Sequence, residues 1–452
     1  MNIVIVGAGV VGFNLAEELS QEGHDISIVD ANHKKIKEIG EKLDVLSVQG
    51  NACFPSVLLR AGIKQAEMVI AVTNKDEINL FVCMLADKFA VKKRFARFQT
   101  MEFTSENSVF PSDKLFIDQA ITPGQIIVDF IQKILATPGA VNVAEFADGE
   151  ILLRGFEIHE DAPLANKKIE ALKAVNEFNS FLIVAIVRDG NIIIPKETDE
   201  IHVGDKIYML VQKEFLPLIL PMLNKKIEAT HKIVIVGANS VSINLAQKLE
   251  KDFNDISIIE PSLEKADLAV DELSKTVVLH GSGTDPDLFN EINVQDADFF
   301  MALTDDDEHN ILSALLAKKQ GAKRVLVITN DPDYVPILDS IGMDIAINPR
   351  LITVGAILKH LRKGQVRSVY KLIENEAEVL EIVANPKSSI IDKKIEKIKF
   401  PEDAIIGAIL RNGEMVVPDQ ECSIQSGDSV IVVALPNSID KIEKLFGKRR
   451  FF

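Results

Sequence analysis

The chain has no tryptophan, only three tyrosines and three cysteines in 452 residues, and no apolar run longer than Phe181 to Val187. The short runs exclude a helical membrane span, which needs about 20 consecutive apolar residues, so the chain is expected to be neither a channel nor a carrier itself. Cys53, Cys83 and Cys422 are widely spaced and fall outside any C-x-x-C pattern, which argues against a disulfide framework or a zinc site and for free thiols in a reducing compartment. The eight histidines form no H-x-x-x-H pair, and no metal site is expected. Positive charge is also short: 50 Lys and Arg against 67 Asp and Glu give a net charge of −17. Phosphate backbones and anionic lipid are bound by basic surfaces, so neither nucleic acid nor direct membrane adhesion is expected.

What remains is an ordinary globular composition, 47% hydrophobic and 26% charged, on a chain too long for one core. Three or four domains are the expectation from length. The first residues enter a strand directly, so no cleavable signal peptide is expected and the chain reads as cytosolic.

The most informative stretch is Ile3 to Leu19. Ile3-Val4-Ile5-Val6 reads as a strand buried on both faces, as a parallel sheet requires. Gly7, Gly9 and Gly12 then follow the G-x-G-x-x-G spacing, and Val11, Leu15 and Leu19 place an apolar stripe on a helix that begins inside the motif. In such a loop the first glycine permits the turn, the second lets a pyrophosphate approach the backbone, and the third lets helix and strand pack closely. The helix N-terminus then faces the phosphates. Ile26 to Val29 reads as the second strand and Asp30 closes it, where a ribose-binding carboxylate is expected. That carboxylate favours NAD(H) or an adenine nucleotide over NADP. Its bland reading is a cap on the helix starting near Asn32.

Strands at Val45 to Val48, Met68 to Val72 and Arg94 to Phe98, alternating with helices, predict a Rossmann-like doubly wound parallel sheet with its ligand at the carboxyl ends of the strands. Asn51, Ala52 and Thr73 fall there, with turn and cap chemistry an equal reading for each. Thr73 to Asp76 has the form of a capping box. Arg97 is read as a surface residue in preference to a phosphate ligand. Thr122-Pro123-Gly124-Gln125 opens a further helix as another capping box, with Pro138-Gly139 as its end. The broad apolar face of Ile126, Ile127, Phe130, Ile131, Ile134 and Leu135 suits packing on its own domain or a subunit contact. From Val141 short strands follow, with a hairpin turn at Asp189-Gly190, giving a small α+β domain that ends near Leu223.

The arrangement then begins again. Ile233 to Gly237 repeats Ile3 to Gly7, Val241, Leu245 and Leu249 repeat the helix stripe, and Ile256 to Glu260 repeats the second strand with Glu260 for Asp30. Thr304 to Asp307 answers Thr73 to Asp76, Ile352 to Leu361 answers the crossover helix, and Asn412-Gly413 with Gly427-Asp428 answers the small-domain turns. The protein is therefore a tandem duplication. Its second loop differs: Asn239 replaces Gly9 and Ser242 replaces Gly12, which makes tight dinucleotide binding doubtful there. The acidic run Asp305 to Glu308 opens a helix, where negative charge is favourable, and is read as structural.

These residues resemble the TrkA family, the cytosolic regulatory subunits of Trk-type bacterial potassium uptake systems, built of two RCK (regulator of potassium conductance) units. The resemblance rests on Gly7, Gly9, Gly12 and Asp30, the Gly50-Asn51-Ala52 turn, Ala71 to Asn74 with Glu77 and Asn79, and both small C-terminal domains. At Asn51 the family more often has Asp. The resemblance implies N-terminal nucleotide-binding domains at 1–121 and 231–350, each followed by a crossover helix and C-terminal domain at 122–224 and 351–452. It implies NAD(H), with ATP/ADP as a further candidate, held by Gly7, Ala8, Gly9, Val10, Val11, Gly12, Asp30, Asn51, Ala52 and Thr73, with Gly237 and Glu260 as counterparts in the second copy. It also implies a homo-oligomeric ring, a dimer or tetramer of chains, that gates a membrane-embedded Trk-type potassium channel subunit from the cytoplasmic side of the inner membrane.

The rival class is an NAD-dependent oxidoreductase. Hydride transfer needs a positioned acid or base, and Tyr208, Tyr334 and Tyr370 begin no Tyr-x-x-x-Lys pair. No catalytic residue is assigned and enzyme activity is not expected.

Overall fold

The computed structural model describes residues 1–21, 23–100, 103, 116–137, 140–172, 181–224, 231–361, 366–372, 377–419 and 421–447. Its first sheet is built from β1 (Asn2–Val6), β2 (Asp25–Asp30), β3 (Leu46–Gln49), β4 (Met68–Ala71), β5 (Lys93–Arg97) and β6 (Gln119–Ile121), in the order β3-β2-β1-β4-β5-β6. All neighbours run parallel, with Ile3 paired to Ile26 on one side and to Met68 on the other. Ile3 to Val6 are buried, which is why an unbroken β-branched run serves as the central strand. The helix α1 (Val10–Gln21) turns Val11, Leu15 and Leu19 to the sheet, matching the apolar stripe. The chain order reverses between β1 and β4, and in such sheets a crevice opens outside the strand ends at that point.

One helix start differs from expectation. The helix Asp76–Lys88 begins after Lys75, which makes no side-chain cap. The Thr73 hydroxyl instead donates to Asn79 Oδ1 at 2.7 Å, while the Asp76 carboxylate accepts the Gln99 and Thr100 amides at the end of β5. At the helix Pro123–Leu135, the Gln125 amide donates forward to Asp129 at 2.6 Å. The Thr73 hydroxyl is drawn to the nearer Asn79, so the expected capping box at the start of Asp76–Lys88 does not close. The apolar face of this helix is largely used within the chain: Ile127, Val128, Ile131 and Ile134 are buried. Pro138-Gly139, the expected end of the helix, lies outside the described residues.

The small domain forms an antiparallel sheet from β7 (Asn142–Phe146), β8 (Ile151–Glu157), β9 (Phe181–Arg188), β10 (Asn191–Ile193) and β11 (Lys206–Gln212), ordered β10-β9-β11-β8-β7. The second copy repeats both layouts. Strands β12 (Lys232–Val236), β13 (Asp255–Glu260), β14 (Val277–His280), β15 (Phe299–Ala302), β16 (Val325–Ile328) and β17 (Ile345–Ile347) take the order β14-β13-β12-β15-β16-β17. Strands β18 (Val366–Leu372), β19 (Ala377–Val383), β20 (Ala404–Arg411), β21 (Glu414–Val416) and β22 (Ser429–Ala434) take the order β18-β19-β22-β20-β21. The register repeats as well, Ile233 pairing with Ile256 and Phe299.

The compact units do not follow the repeat. One unit joins Met1–Asp129 to Thr230–Ile357, and the other joins Phe130–Ala229 to Leu358–Phe452. Like therefore pairs with like across the duplication. In the first unit, Asp129 bonds Lys248 of the second copy at 3.1 Å, and a Cβ added to Gly124 would lie 3.2 Å from Val241. In the second unit, Phe146, Leu153, Val184, Tyr208 and Leu210 share one buried cluster with Leu372, Val379, Ala408 and Ile431. Ala147 N donates to Glu381 across the same seam.

Candidate nucleotide site

At the carboxyl ends of β1 and β4 lies a cleft of about 790 Å³. Gly7, Ala8, Gly9, Val10, Val11, Asp30, Asn51, Ala52 and Thr73 all line it, so residues chosen from sequence spacing are brought to one surface. The three glycines have separable jobs. Gly7 adopts φ +110, and a Cβ there would press to 3.0 Å on the backbone of Val72 and Thr73. Gly12 sits behind the loop, where a Cβ would fall 1.8 Å from the Gly7 oxygen. A Cβ on Gly9 meets nothing within 4 Å: this glycine keeps the cleft open.

Asp30 works first on the loop. Its Oδ2 accepts Ala8 N at 2.7 Å and its Oδ1 accepts Asn32 N at 2.8 Å. The helix cap belongs to Asn32, whose side chain accepts Lys34 N and Lys35 N. A carboxylate offers about four acceptor positions, so two remain for ribose hydroxyls. Asp30→Asn keeps an acceptor for the loop but loses the charge. It is expected to weaken nucleotide binding by about 10- to 100-fold and, because its NH2 group faces one of the two backbone donors that Asp30 satisfies, to lower the melting temperature as well; calorimetric titration and a thermal melt check both halves.

Behind the cleft, Asn79 is fully buried. It accepts the Thr73 amide and hydroxyl and donates to the carbonyls of Thr73 and Arg97, fastening the ends of β4 and β5 together. Asn310 makes the same bonds to Thr304 and Ile328 in the second copy.

The reading of Arg97 as a surface residue is corrected: it lines the cleft. Its Nε is buried with no hydrogen-bond partner among the described residues. Burial lowers the guanidinium's pKa, Asp76 raises it and Arg350 lowers it further. Sequence reasoning also did not find Lys35, Lys42, Lys75 or Arg350 on the lining. The lysines carry no motif, and Arg350 comes from the other copy.

In the second copy the loop is filled. Asn239 caps the helix Ser240–Leu249, its Oδ1 accepting Val241 N and Ser242 N at 3.0 Å, and its amide donates to the Leu303 carbonyl. Those two amides are the ones a phosphate would use. Gly237 keeps a positive φ of 97, and the buried Glu260 accepts Ala238 N and Ser262 N, which is Asp30's loop-holding role alone. The acidic run is consumed structurally, Asp306 accepting His309 N and Asp307 accepting Asn330 N and Asp331 N. Among the described residues no cluster of three His, Cys, Asp or Glu is arranged to hold a metal.

Fold and site together define a duplicated α/β protein: two dinucleotide-type sheets, one with an open cleft at its glycine loop, and two small antiparallel domains. The TrkA-N domain family matches residues 3–123 and 233–349, and the TrkA-C domain family matches 153–238 and 379–447. The Trk system potassium uptake protein TrkA of Halomonas elongata is 34% identical over 99% of this chain and 98% of its own length. That of Vibrio alginolyticus is 33% identical over the whole of both chains. The chain belongs to the TrkA family. Among solved structures, the GsuK channel bound to NAD shares the fold at a TM-score of 0.62, with 15% identity over 98% of this chain and 78% of that one.

Proposed function

We propose that this chain is the nucleotide-binding regulatory subunit of a Trk-type potassium uptake system, and that NAD(H) or ATP/ADP in the first-copy cleft sets the conductance of a membrane-embedded channel subunit. The observation that carries the reading is the cleft itself, with Gly7, Gly9 and Asp30 arranged around it and Gly12 behind the loop, while Asn239 plugs its counterpart. The names of the relatives supply the potassium system. Among the described residues no helix is long and apolar enough to cross a membrane; in this reading the pore belongs to a partner, which the chain meets on the cytoplasmic side as a ring of two or four copies.

Gating of this kind requires the ligand to bind two conformations with unequal affinity. The domain boundaries at 121, 224 and 350 belong to the same reading. Binding without turnover is the chemical signature of this reading; among the described residues the cleft lining holds neither histidine nor tyrosine. The test is titration of the purified chain with NADH, NAD, ATP and ADP, followed by potassium flux through vesicles holding the channel subunit with and without the chain. Saturable binding and nucleotide-dependent flux are expected. NADH oxidation with a hydroxy- or keto-acid, or flux indifferent to every nucleotide, would overturn the proposal.

A further inference from the structure

Each parallel sheet ends in an edge strand with a helix beside it: β3 with the helix His33–Lys42 in the first copy, β14 with the helix Leu263–Glu272 in the second. The two helices have the same length and the same place in the repeat, yet their surfaces are opposite. The first carries four lysines against two glutamates, the second four carboxylates against one lysine. The second also bares Leu263 and Val270, each more than half exposed, as is Val277 on β14. Their counterparts in the first copy are His33, Gly40 and Ser47.

The two edges also differ in shape. A Cβ added to Gly40 would lie 3.4 Å from the Ser47 hydroxyl, so this helix position faces this strand position. The same places in the second copy hold Val270 and Val277. Leu263, Asp267 and Val270 recur at i, i+4 and i+7 and share one helix face, with Glu264 beside it. The second edge is therefore an apolar ridge bordered by carboxylates. The first is its complement: Gly40 and Ser47 leave a hollow, Leu46 is exposed at the start of β3, and Lys34 and Lys37 occupy the places of Glu264 and Asp267. Lys37 meets Glu41 at 3.8 Å with both side chains 67% exposed, a surface pair that contributes little. Lys34, Glu264 and Asp267 form no ion pair among the described residues.

An exposed apolar ridge beside an unpaired edge strand marks a contact surface, and charge chooses its occupant. A second copy of the ridge would set carboxylates against carboxylates. The helix His33–Lys42 instead brings lysines to the carboxylates and a hollow to the ridge. A contact between unlike faces leaves one of each free on the pair it joins, so it repeats from chain to chain until the set closes. We propose that the edge at 33–49 of one chain docks on the edge at 263–280 of the next, and that this head-to-tail contact builds the ring. The proposal rests on the ring in the reading above and adds which faces join it.

The experiment is sedimentation velocity of the full-length chain as wild type, as Lys34→Glu with Lys37→Glu, as Glu264→Lys with Asp267→Lys, as the chain bearing all four changes, and as an equimolar mixture of the two double variants. All four side chains are exposed and lie outside the cleft lining, so the fold is expected to stay as in wild type, with circular dichroism as the check. Wild type is expected to run as a closed oligomer, and each double variant to dissociate at a protein concentration at least about 10-fold higher. The four-change chain and the mixture are expected to recover the oligomer, because both restore opposite charges across every contact; a local defect would not be recovered by mixing. An oligomer that either double variant leaves intact, or a loss that mixing does not restore, overturns this contact alone. So does a Glu264→Lys, Asp267→Lys chain that keeps the oligomer and loses only its attachment to vesicles holding the channel subunit, since the ridge would then belong to the membrane partner. A wild-type chain that sediments as a monomer overturns the ring and the contact together, while nucleotide binding is decided by its own titration.

Discussion

Gly9→Val is expected to fold like wild type and bind no nucleotide, while Gly12→Ala is expected to cripple the first sheet. Both positions belong to one motif, yet their surroundings are opposite. The space around Gly9 is empty to 4 Å and its backbone conformation is open to any residue. A valine there adds its methyls to the path by which phosphates reach the first-turn amides of α1, and a loss of at least about 100-fold in NADH or ATP affinity, roughly 3 kcal/mol, is expected. At Gly12 a single methyl collides with the Gly7 oxygen at 1.8 Å, a clash with backbone that no side-chain rotation relieves. Overpacking of this kind costs about 1–3 kcal/mol or more. The second copy tolerates Ser242 at the matching position because its loop is built around that residue, with Asn239 bonded to its amide and hydroxyl. Calorimetry on Gly9→Val and denaturant melts of both variants decide the matter. Wild-type binding by Gly9→Val, or wild-type stability of Gly12→Ala, would refute this division of labour.

The largest effect on stability is expected from Arg188→Ala in the first small domain. Asp205 is almost wholly buried, with 1% of its side chain exposed, and Arg188 donates to it through both Nε and Nη2 at 2.7 Å. The backbone amide of His202 donates as well. Arg411 and Asp428 repeat the pair in the second small domain. Removing one partner of a buried pair strands the other charge, at a cost of about 3–5 kcal/mol. The pair also gives stability a pH dependence. Burial alone would push the Asp205 carboxyl up, but the bonds from Arg188 and His202 outweigh it and hold its pKa below the usual value. A carboxyl lowered on folding contributes stability above its unfolded value near about 3.9, and that contribution fades as pH falls through the folded value. Wild type is therefore expected to lose stability below about pH 4 in part through Asp205, and Arg188→Ala to show a shallower slope there. Equal denaturation midpoints for the two proteins at pH 7 would exclude the pair as a stabilising contact.

The parts of this architecture that were legible in the sequence were those with local causes. The run Ile3 to Gly12 specifies a strand, a turn and a helix within a few residues, and Asp30 follows at a spacing set by the same unit. The duplication was legible because it repeats order as well as composition. Short elements with polar residues were not: β6, three residues long, and β7, with Asn142 and Glu145, carry too little periodicity to stand out. The cap at Thr73 was misread because Asn79, six residues on, offers that hydroxyl a better partner. Arg97 looked like surface because the side of β5 it faces depends on the cleft, not on the strand. Arg350 stands far in sequence from the cleft it lines, and its trace was the departure from Gly124 at the matching place in the repeat. The pairing of like domains across the duplication left no trace in periodicity, since either partner satisfies the same apolar faces.

That pairing has a consequence for how the protein is made. Ala147 finds its bond to Glu381 only after 234 further residues have been joined, and the apolar side chains around Tyr208 await strands β19 to β22. At ribosomal rates of about 5–20 residues per second, the first small domain stands half-finished for roughly 10–50 s on each nascent chain. During that interval its unshared face is the part of the molecule most in need of shelter, and a ribosome stalled within the second copy would release a chain whose first small domain has no complete interior.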